Sequence, residues 1–133
     1  MSQIVLDEYL GRTEVLDPLQ KWITATKIED LAPDETLKDD RIFRILWNQK
    51  QPTFVTLDAG FFHKKHCDQR YCLMYYVVPR QQQSRIPVLL RRLLRLSEFK
   101  TKAVRMGKVV RVSEREIEFW QLGDEKRHTV RLK

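Results

Sequence analysis

The chain has 133 residues, of which 42% are hydrophobic and 32% are charged, and this balance suits a single globular domain with its own core. The longest uncharged apolar stretch, residues 71–79, is too short to span a bilayer, and residues 1–6 lack the pattern of a signal peptide, so no membrane association is expected. Cys67 and Cys72 are too few for a disulfide framework and fit no common zinc spacing. Both are expected to be free thiols in the cytoplasm.

Charge is distributed unevenly along the chain. Residues 1–60 hold 7 basic and 11 acidic residues, a net charge of −4, whereas residues 61–133 hold 18 and 7, a net charge of +11. This asymmetry predicts a cation site in the first half and a surface for a polyanion in the second. Nucleic acid is the expected polyanion, an acidic protein partner is the alternative, and a merely solvated surface is the third interpretation. The densest basic positions are Arg91, Arg92, Arg95, Lys100, Lys102, Arg105, Lys108 and Arg111.

Strand and helix patterns alternate over the first hundred residues. Apolar, β-branched runs predict strands at residues 3–7, 25–28, 53–58 and 71–78. Helical spacing predicts helices from about residue 18, at 39–50 and at 84–96, with 29–36 as a polar connector. The second helix is expected to bury Ile42, Phe43, Ile45, Leu46 and Trp47.

The last thirty residues change to β-rich patterns. Residues 104–112, 116–122 and 128–132 predict an antiparallel meander that follows the α/β core. The predicted fold is therefore α/β, a three-layer α/β/α sandwich with a short parallel sheet and a C-terminal antiparallel β extension. We expect one domain over residues 1–133, with a core at 1–97 and an extension at 98–133. The three tryptophans are expected to lie in the core or on a sheet face.

Two of the predicted strands end on carboxylates. Asp7 and Glu8 follow the first strand, and Asp58 follows the third. Functional groups in an open α/β sheet collect beyond the carboxyl ends of the strands, so neighbouring strands would bring these acids together. Clustered carboxylates repel one another, and such clusters commonly hold a divalent cation. Glu8 would point to the opposite face on a regular strand, which places it beside the site and not at its centre.

Three motifs in this order resemble the small stand-alone PIN-like domain family, relatives of the VapC-type toxins. The matching stretches are Leu6-Asp7-Glu8-Tyr9, Asp40-Arg41-Ile42-Phe43 and Val55-Thr56-Leu57-Asp58-Ala59-Gly60-Phe61. The resemblance covers about residues 3–97. It implies a PIN-like fold and the hydrolysis of RNA phosphodiesters with Mg²⁺ or Mn²⁺. It also implies a toxin of a toxin–antitoxin pair, with an antitoxin protein as partner and a homodimer as a further expectation.

The resemblance assigns roles to particular residues. Asp7, Asp40 and Asp58 are the expected metal ligands and catalytic residues, with Glu8 beside them and Asp39 as a substitute for Asp40. Each acid also has a plain structural reading as a helix cap or the start of a turn. The expected substrate-binding residues are His63, Lys64, Lys65, Arg91, Arg92 and Arg95.

Two departures from the family motif keep a second function open. Tyr9 stands where the family has Asn, and Gly60 stands where the family has a further Asp. The chain is therefore either a metal-dependent ribonuclease or a catalytically degenerate PIN-like module that binds nucleic acid or a protein through its basic half. A phosphate-relay receiver is a weaker third possibility, since residues 77–80 lack the Lys that it would need. A zinc site at His63, His66 and Cys67 lacks a fourth ligand.

Overall fold

The computed structural model describes residues 3–33 and 36–132. A seven-stranded mixed sheet in the order β2-β1-β3-β4-β5-β6-β7 forms the middle layer. The strands are β1 (Gln3–Leu6), β2 (Thr24–Lys27), β3 (Pro52–Thr56), β4 (Cys72–Tyr76), β5 (Lys108–Val112), β6 (Glu116–Gln121) and β7 (His128–Arg131). The first five are parallel to one another, and β6 and β7 are antiparallel.

The prediction that the two strands followed by acids, β1 and β3, are neighbours in the sheet is confirmed. Strand β1 pairs with β3 in parallel, with Leu6 opposite Val55, and β2 lies on the other side of β1. All described positions of β1 and all of β3 are buried, which explains why both sequences read as continuous apolar runs and not as alternating ones. The carboxyl ends of both strands lie at one edge of the sheet, called here the carboxyl edge.

Apolar side chains cover both faces of the sheet, as expected for a layered α/β protein. One face packs under α1 (Asp17–Gln20) and α4 (Ile86–Leu93), with Leu19, Leu89 and Leu90 in its core. The other face packs under α2 (Ile28–Leu31) and α3 (Asp39–Trp47), with Ile42 and Leu46 in its core. The α/β class is thus shown. Within the described ranges, no helix is long and apolar enough to cross a bilayer.

Several helix boundaries differ from the prediction. Helix α3 stops at Trp47, and Trp47 itself is 42% exposed, so its assignment to the buried face was wrong. Within the segment predicted as a helix over 84–96, the α-helix is α4, and Pro87 lies in its first turn. A 3₁₀ segment, Arg80–Arg85, precedes α4. Part of the connector at 29–36 is helical in α2, while residues 34 and 35 lie outside the described ranges.

The C-terminal segment is not wholly antiparallel. Residues 102–105 form a short helix, α5 (Lys102–Arg105), and the strand predicted at 104–112 starts only at Lys108. Strand β5 is parallel to β4 and so completes the parallel part of the sheet. Among the described strands, the antiparallel extension consists of β6 and β7. Gly107, with φ of +83°, makes the turn between α5 and β5, a conformation that favours glycine.

Two residues expected on the basic surface are buried. Arg105 is fully buried, donates to the Thr53 hydroxyl and to the Phe99 carbonyl at 2.9 Å each, and has one guanidinium nitrogen without a hydrogen-bond partner among the described residues. Lys108 is 8% exposed and donates to the Val104 carbonyl. Burial lowers the pKa of both groups. They belong to the framework around α5 and do not add to a polyanion surface.

Candidate functional site

The carboxylates of Asp7 and Asp58 come together at the carboxyl edge, as predicted. The Thr56 hydroxyl connects the two residues: it donates to Asp7 Oδ2 at 2.6 Å and accepts from the Asp58 backbone N–H at 3.0 Å. Asp58 in turn accepts from the Gly60 N–H at 2.8 Å and thereby begins the 3₁₀ turn Ala59–Phe61. A side-chain bond thus ties the end of β1 to the end of β3, beside the pairing of the Asp7 N–H with the Val55 carbonyl.

Asp7 is electrostatically unusual for an aspartate. It is 6% exposed, and burial raises the pKa of its carboxyl above the ordinary value of 3.8. The hydrogen bonds from Thr56 and from the Glu8 backbone N–H oppose this shift in pKa, whereas the negative charges of Glu8 and Asp58 add to it. A buried carboxylate with a raised pKa and an acidic neighbour is a common feature of functional sites.

Lys27, the last residue of β2, fixes the backbone that carries Asp7. It is 2% exposed, and its ammonium donates to the carbonyls of Asp7 at 3.0 Å and Glu8 at 2.9 Å, and to the carbonyl of Leu10. Glu29 lies 3.7 Å from the same nitrogen. Three converging carbonyls give this buried cation the partners that it needs. The sequence offers one signal for this role: Lys27 is a charged residue at the end of β2, whose other residues are uncharged and small.

The two carboxylates open into a small cavity of about 250 Å³. Its other lining residues are Tyr9, Leu10, Leu57 and Arg80. The exposed Arg80 guanidinium lies 5.3 Å from the Tyr9 ring centroid. Tyr9, which stands where the family motif has Asn, therefore provides an aromatic face for a cation. The cavity is therefore lined by two acids and one arginine.

The structure does not bring Asp40 into this cavity. Asp40 is exposed on the first turn of α3, where its carboxylate accepts from the Arg41 backbone N–H, and neither Asp40 nor Asp39 contributes to the raised pKa of Asp7. Glu8 is not among the residues that line the cavity, and because β1 ends at Leu6 the alternation of a regular strand does not extend to it. Across residues 3–33 and 36–132, no group of three or more His, Cys, Asp or Glu side chains is arranged to hold a metal ion.

The predicted substrate-binding residues do not line the cavity either. In the loop after Asp58, Lys64 pairs with Glu125 at 2.8 Å, and His63 accepts from the Lys65 backbone N–H. The arginines of α4 divide between the two edges of the sheet. Arg92 donates to the Glu114 carbonyl beyond the carboxyl end of β5, whereas Arg91 lies over the Trp22 ring just before β2 begins. Arg91 and Arg92 therefore lie at different places on the surface and do not form one continuous basic face.

A second basic region at the carboxyl edge was not foreseen. An open groove of about 820 Å³ at the turn between β5 and β6 is lined by Arg111, Arg115 and Arg131, with Glu114 and Glu116 beside them. Arg111 is paired with Glu118 at 2.9 Å. Strand β5 lies two positions beyond β3 in the sheet, about 10 Å at the usual strand spacing. The signal in the sequence is the placement of Arg111, Arg115 and Arg131 in and beside the predicted C-terminal strands.

These features define a mixed α/β protein with a carboxylate cavity at the carboxyl ends of parallel strands. Comparisons with protein-family models, with curated proteins and with solved structures found no match. The PIN-like resemblance therefore stays a prediction that rests on the three motifs of the sequence.

Proposed function

We propose that the protein is a divalent-metal-dependent ribonuclease of the PIN-like type, with Asp7 and Asp58 as its central acids. The observation that supports this proposal most is the meeting of Asp7 and Asp58 at the ends of adjacent parallel strands, where the Thr56 hydroxyl links the Asp7 carboxylate to the Asp58 backbone N–H. Hard carboxylate oxygens suit Mg²⁺ or Mn²⁺, and Mg²⁺ commonly uses only one or two carboxylates, with waters and substrate phosphate as its other ligands. Two acids therefore fit a weakly held ion that the substrate helps to retain.

The side chains of the cavity have separate roles in this proposal. A bound divalent ion would supply an activated water and positive charge beside the scissile phosphate. Asp7 keeps a fixed orientation because Thr56 and the Glu8 N–H hold its two oxygens. Asp58 is exposed and directs its carboxylate from a rigid 3₁₀ turn. Arg80, stacked on Tyr9, is placed to bind a phosphate oxygen of the substrate.

The groove lined by Arg111, Arg115 and Arg131 supports a polyanionic substrate. It lies at the same edge of the sheet as the cavity, so one RNA strand could contact both. Arginine suits this role because its planar guanidinium binds phosphate oxygens in pairs. We place RNA along the carboxyl edge, with the antitoxin protein and the homodimer of the family as further parts of the proposal.

Cleavage of single-stranded RNA with and without Mg²⁺ or Mn²⁺ tests the proposal directly. Wild type is expected to cleave only with metal, and Asp58→Asn is expected to lose cleavage while staying folded. Asp40→Asn is the matched control, since it removes an exposed carboxylate that does not line the cavity, and it is expected to keep activity. Equal cleavage by wild type and Asp58→Asn would remove this cavity from the mechanism.

A second function is favoured by one observation: the cavity contains two carboxylates and not the fuller cluster of the family, because Gly60 replaces an acid. In this alternative the chain is a non-catalytic module that binds nucleic acid or a protein through its basic half. Purified wild type that binds RNA but cleaves none with either metal would support it. Activity gained on Gly60→Asp would then identify the missing carboxylate as the cause.

A further inference from the structure

A second groove lies at the opposite edge of the sheet, where the parallel strands begin. It is open, has a volume of about 820 Å³, and is formed by the chain before β2 and the chain after α4. Trp22 and Ile23 on one side and Leu94 on the other supply apolar surface and pack partly against the core. The remaining lining residues are Gln20, Lys21, Thr24, Ala25 and Lys100.

The charged residues at this groove, within the described part of the chain, are cations. Lys21 and Lys100 are exposed on its lining, and the Arg91 guanidinium lies 5.3 Å from the Trp22 ring centroid. None of these three cations has an ion-pair partner within residues 3–33 and 36–132. Among the residues that the structure describes, no acidic side chain lines the groove. It therefore differs from the arginine groove at the carboxyl edge, where Glu114, Glu116 and Glu118 offset part of the charge.

We infer that this groove, which Lys21, Trp22 and Lys100 line and beside which Arg91 covers the Trp22 ring, binds single-stranded RNA. An aromatic side chain among unpaired cations is the usual composition of a surface for single strands, because bases stack on the ring while the cations follow the phosphates. The planar guanidinium of Arg91 adds a second surface for stacking. An acidic protein segment would satisfy the cations but would leave the exposed Arg91 guanidinium, which covers the Trp22 ring, without a planar group stacked on its outer side.

The groove is separate from the carboxylate cavity. Strands β1 and β2 are four residues long, so about 13 Å of sheet separates their two ends. A strand of RNA could thus be held at the groove while another part of it lies at the cavity. The choice of RNA as the occupant rests on the proposed function, whereas the preference for a single-stranded polyanion rests on the groove itself.

Another tryptophan of the same chain provides a matched control. Trp47 is also covered by an arginine, with the Arg70 guanidinium 4.2 Å from the ring centroid, and it is exposed. Arg70, however, is neutralised by Asp68 through two hydrogen bonds of 3.0 Å from its side chain. Trp47 therefore has the aromatic ring and the stacked guanidinium without the unpaired cations.

Binding is measured with the Asp58→Asn chain in EDTA, so that the result does not depend on metal or on cleavage. The probe is a fluorescently labelled single-stranded RNA of about 12 nucleotides, read by anisotropy over a series of salt concentrations. Trp22→Ala is expected to weaken binding about tenfold or more, and Trp22→Phe is expected to keep most of the affinity. Lys21→Gln with Lys100→Gln is expected to reduce the salt slope by about 1.4. Trp47→Ala is expected to leave both quantities unchanged.

Three results would overturn this inference. One is full affinity in both Trp22→Ala and the double lysine variant, and another is an equal loss of affinity in Trp22→Ala and Trp47→Ala. The third is a polyglutamate peptide that binds with the same dependence on Trp22 and displaces the RNA, which would assign the groove to an acidic protein segment. If Trp22→Ala fails to fold, the double lysine variant still decides, because an unchanged salt slope would exclude this groove as the binding site. If wild type cleaves no RNA, that result would contradict the ribonuclease proposal but not the inference that this groove binds RNA.

Discussion

The hydroxyl of Thr56 donates a 2.6 Å hydrogen bond to the carboxylate of Asp7, from the end of one parallel strand to the end of its neighbour. The same oxygen accepts from the backbone N–H of Asp58. One buried side chain thus sets the positions of both acids at the candidate site, although the two lie 51 positions apart in the sequence.

Removing the Thr56 hydroxyl tests this arrangement. Thr56→Val keeps the shape of a fully buried side chain but leaves the Asp7 carboxylate and the Asp58 N–H without their partner. We expect a loss of about 1–3 kcal/mol in the free energy of unfolding and a further rise in the Asp7 pKa. Urea denaturation and an NMR titration of Asp7 measure the two effects. Thr56→Ser, which keeps the hydroxyl, should preserve the Asp7 pKa; an equal change in both variants would contradict the role of the hydrogen bond.

The raised pKa of Asp7 predicts a pH dependence of stability. Because the folded chain holds this proton more tightly than the unfolded chain, the stabilising contribution is fully present below the ordinary pKa of 3.8. It is lost as the pH rises through the raised pKa of the folded state. Asp7→Asn carries no such proton, so its stability should equal that of wild type in acid and exceed it at neutral pH. Unfolding free energies across this pH range provide the check, and a variant that is less stable at neutral pH would contradict the prediction.

Lys27 is expected to be important for stability as well as for position. Lys27→Met removes an ammonium that binds three backbone carbonyls and leaves those carbonyls buried without a donor. We expect the free energy of unfolding, measured by chemical denaturation, to fall by about 2–4 kcal/mol. Lys50→Met, at an exposed position on the chain before β3, is the control and should stay within about 0.5 kcal/mol of wild type. A similar small effect in both variants would show that the Lys27 contacts contribute little.

Gly60→Asp is expected to strengthen metal binding. A Cβ at position 60 would lie 3.1 Å from Asp58 Oδ1, so an added carboxylate would stand directly beside the exposed acid of the site. Isothermal titration with Mn²⁺ should show affinity about tenfold higher than that of wild type, equivalent to about 1.4 kcal/mol. Gly60→Ala adds the same close Cβ without the charge and is expected to leave affinity unchanged. If Gly60→Ala also bound Mn²⁺ more tightly, the gain in affinity would come from the changed backbone turn and not from the added carboxylate.

The two thiols are expected to differ in reactivity. Cys72 is fully buried in β4, and burial raises its pKa to about 12; Cys67 is half-buried, and burial raises its pKa to a smaller extent. Because the thiolate is the reactive form, a thiol reagent at pH 8 should modify Cys67 slowly and Cys72 only on unfolding. Mass spectrometry after timed alkylation distinguishes them. Rapid modification of Cys72 in the native chain would contradict the burial of β4.

The sequence alone predicted the parts of the fold that depend on local pattern. Apolar β-branched runs indicated β1 and β3 as buried parallel strands, and their final acids predicted that Asp7 and Asp58 would meet. This inference was correct because the carboxyl ends of parallel strands lie at the same edge of the sheet. A residue that follows one strand therefore lies near the residues that follow the neighbouring strands. The free thiols were predicted on the same local basis, from cysteine count and spacing.

Only the tertiary structure decided which charged residues are available at the surface. Arg105 and Lys108 belong to a dense basic stretch in the sequence, yet both are buried, because α5 and β5 direct them toward carbonyl and hydroxyl partners that the fold brings close. Neighbouring arginines on α4 are likewise separated, as Arg91 reaches the Trp22 groove and Arg92 reaches Glu114. A charge pattern records how many cations are present, whereas long-range packing determines which of them are buried, paired or free to bind.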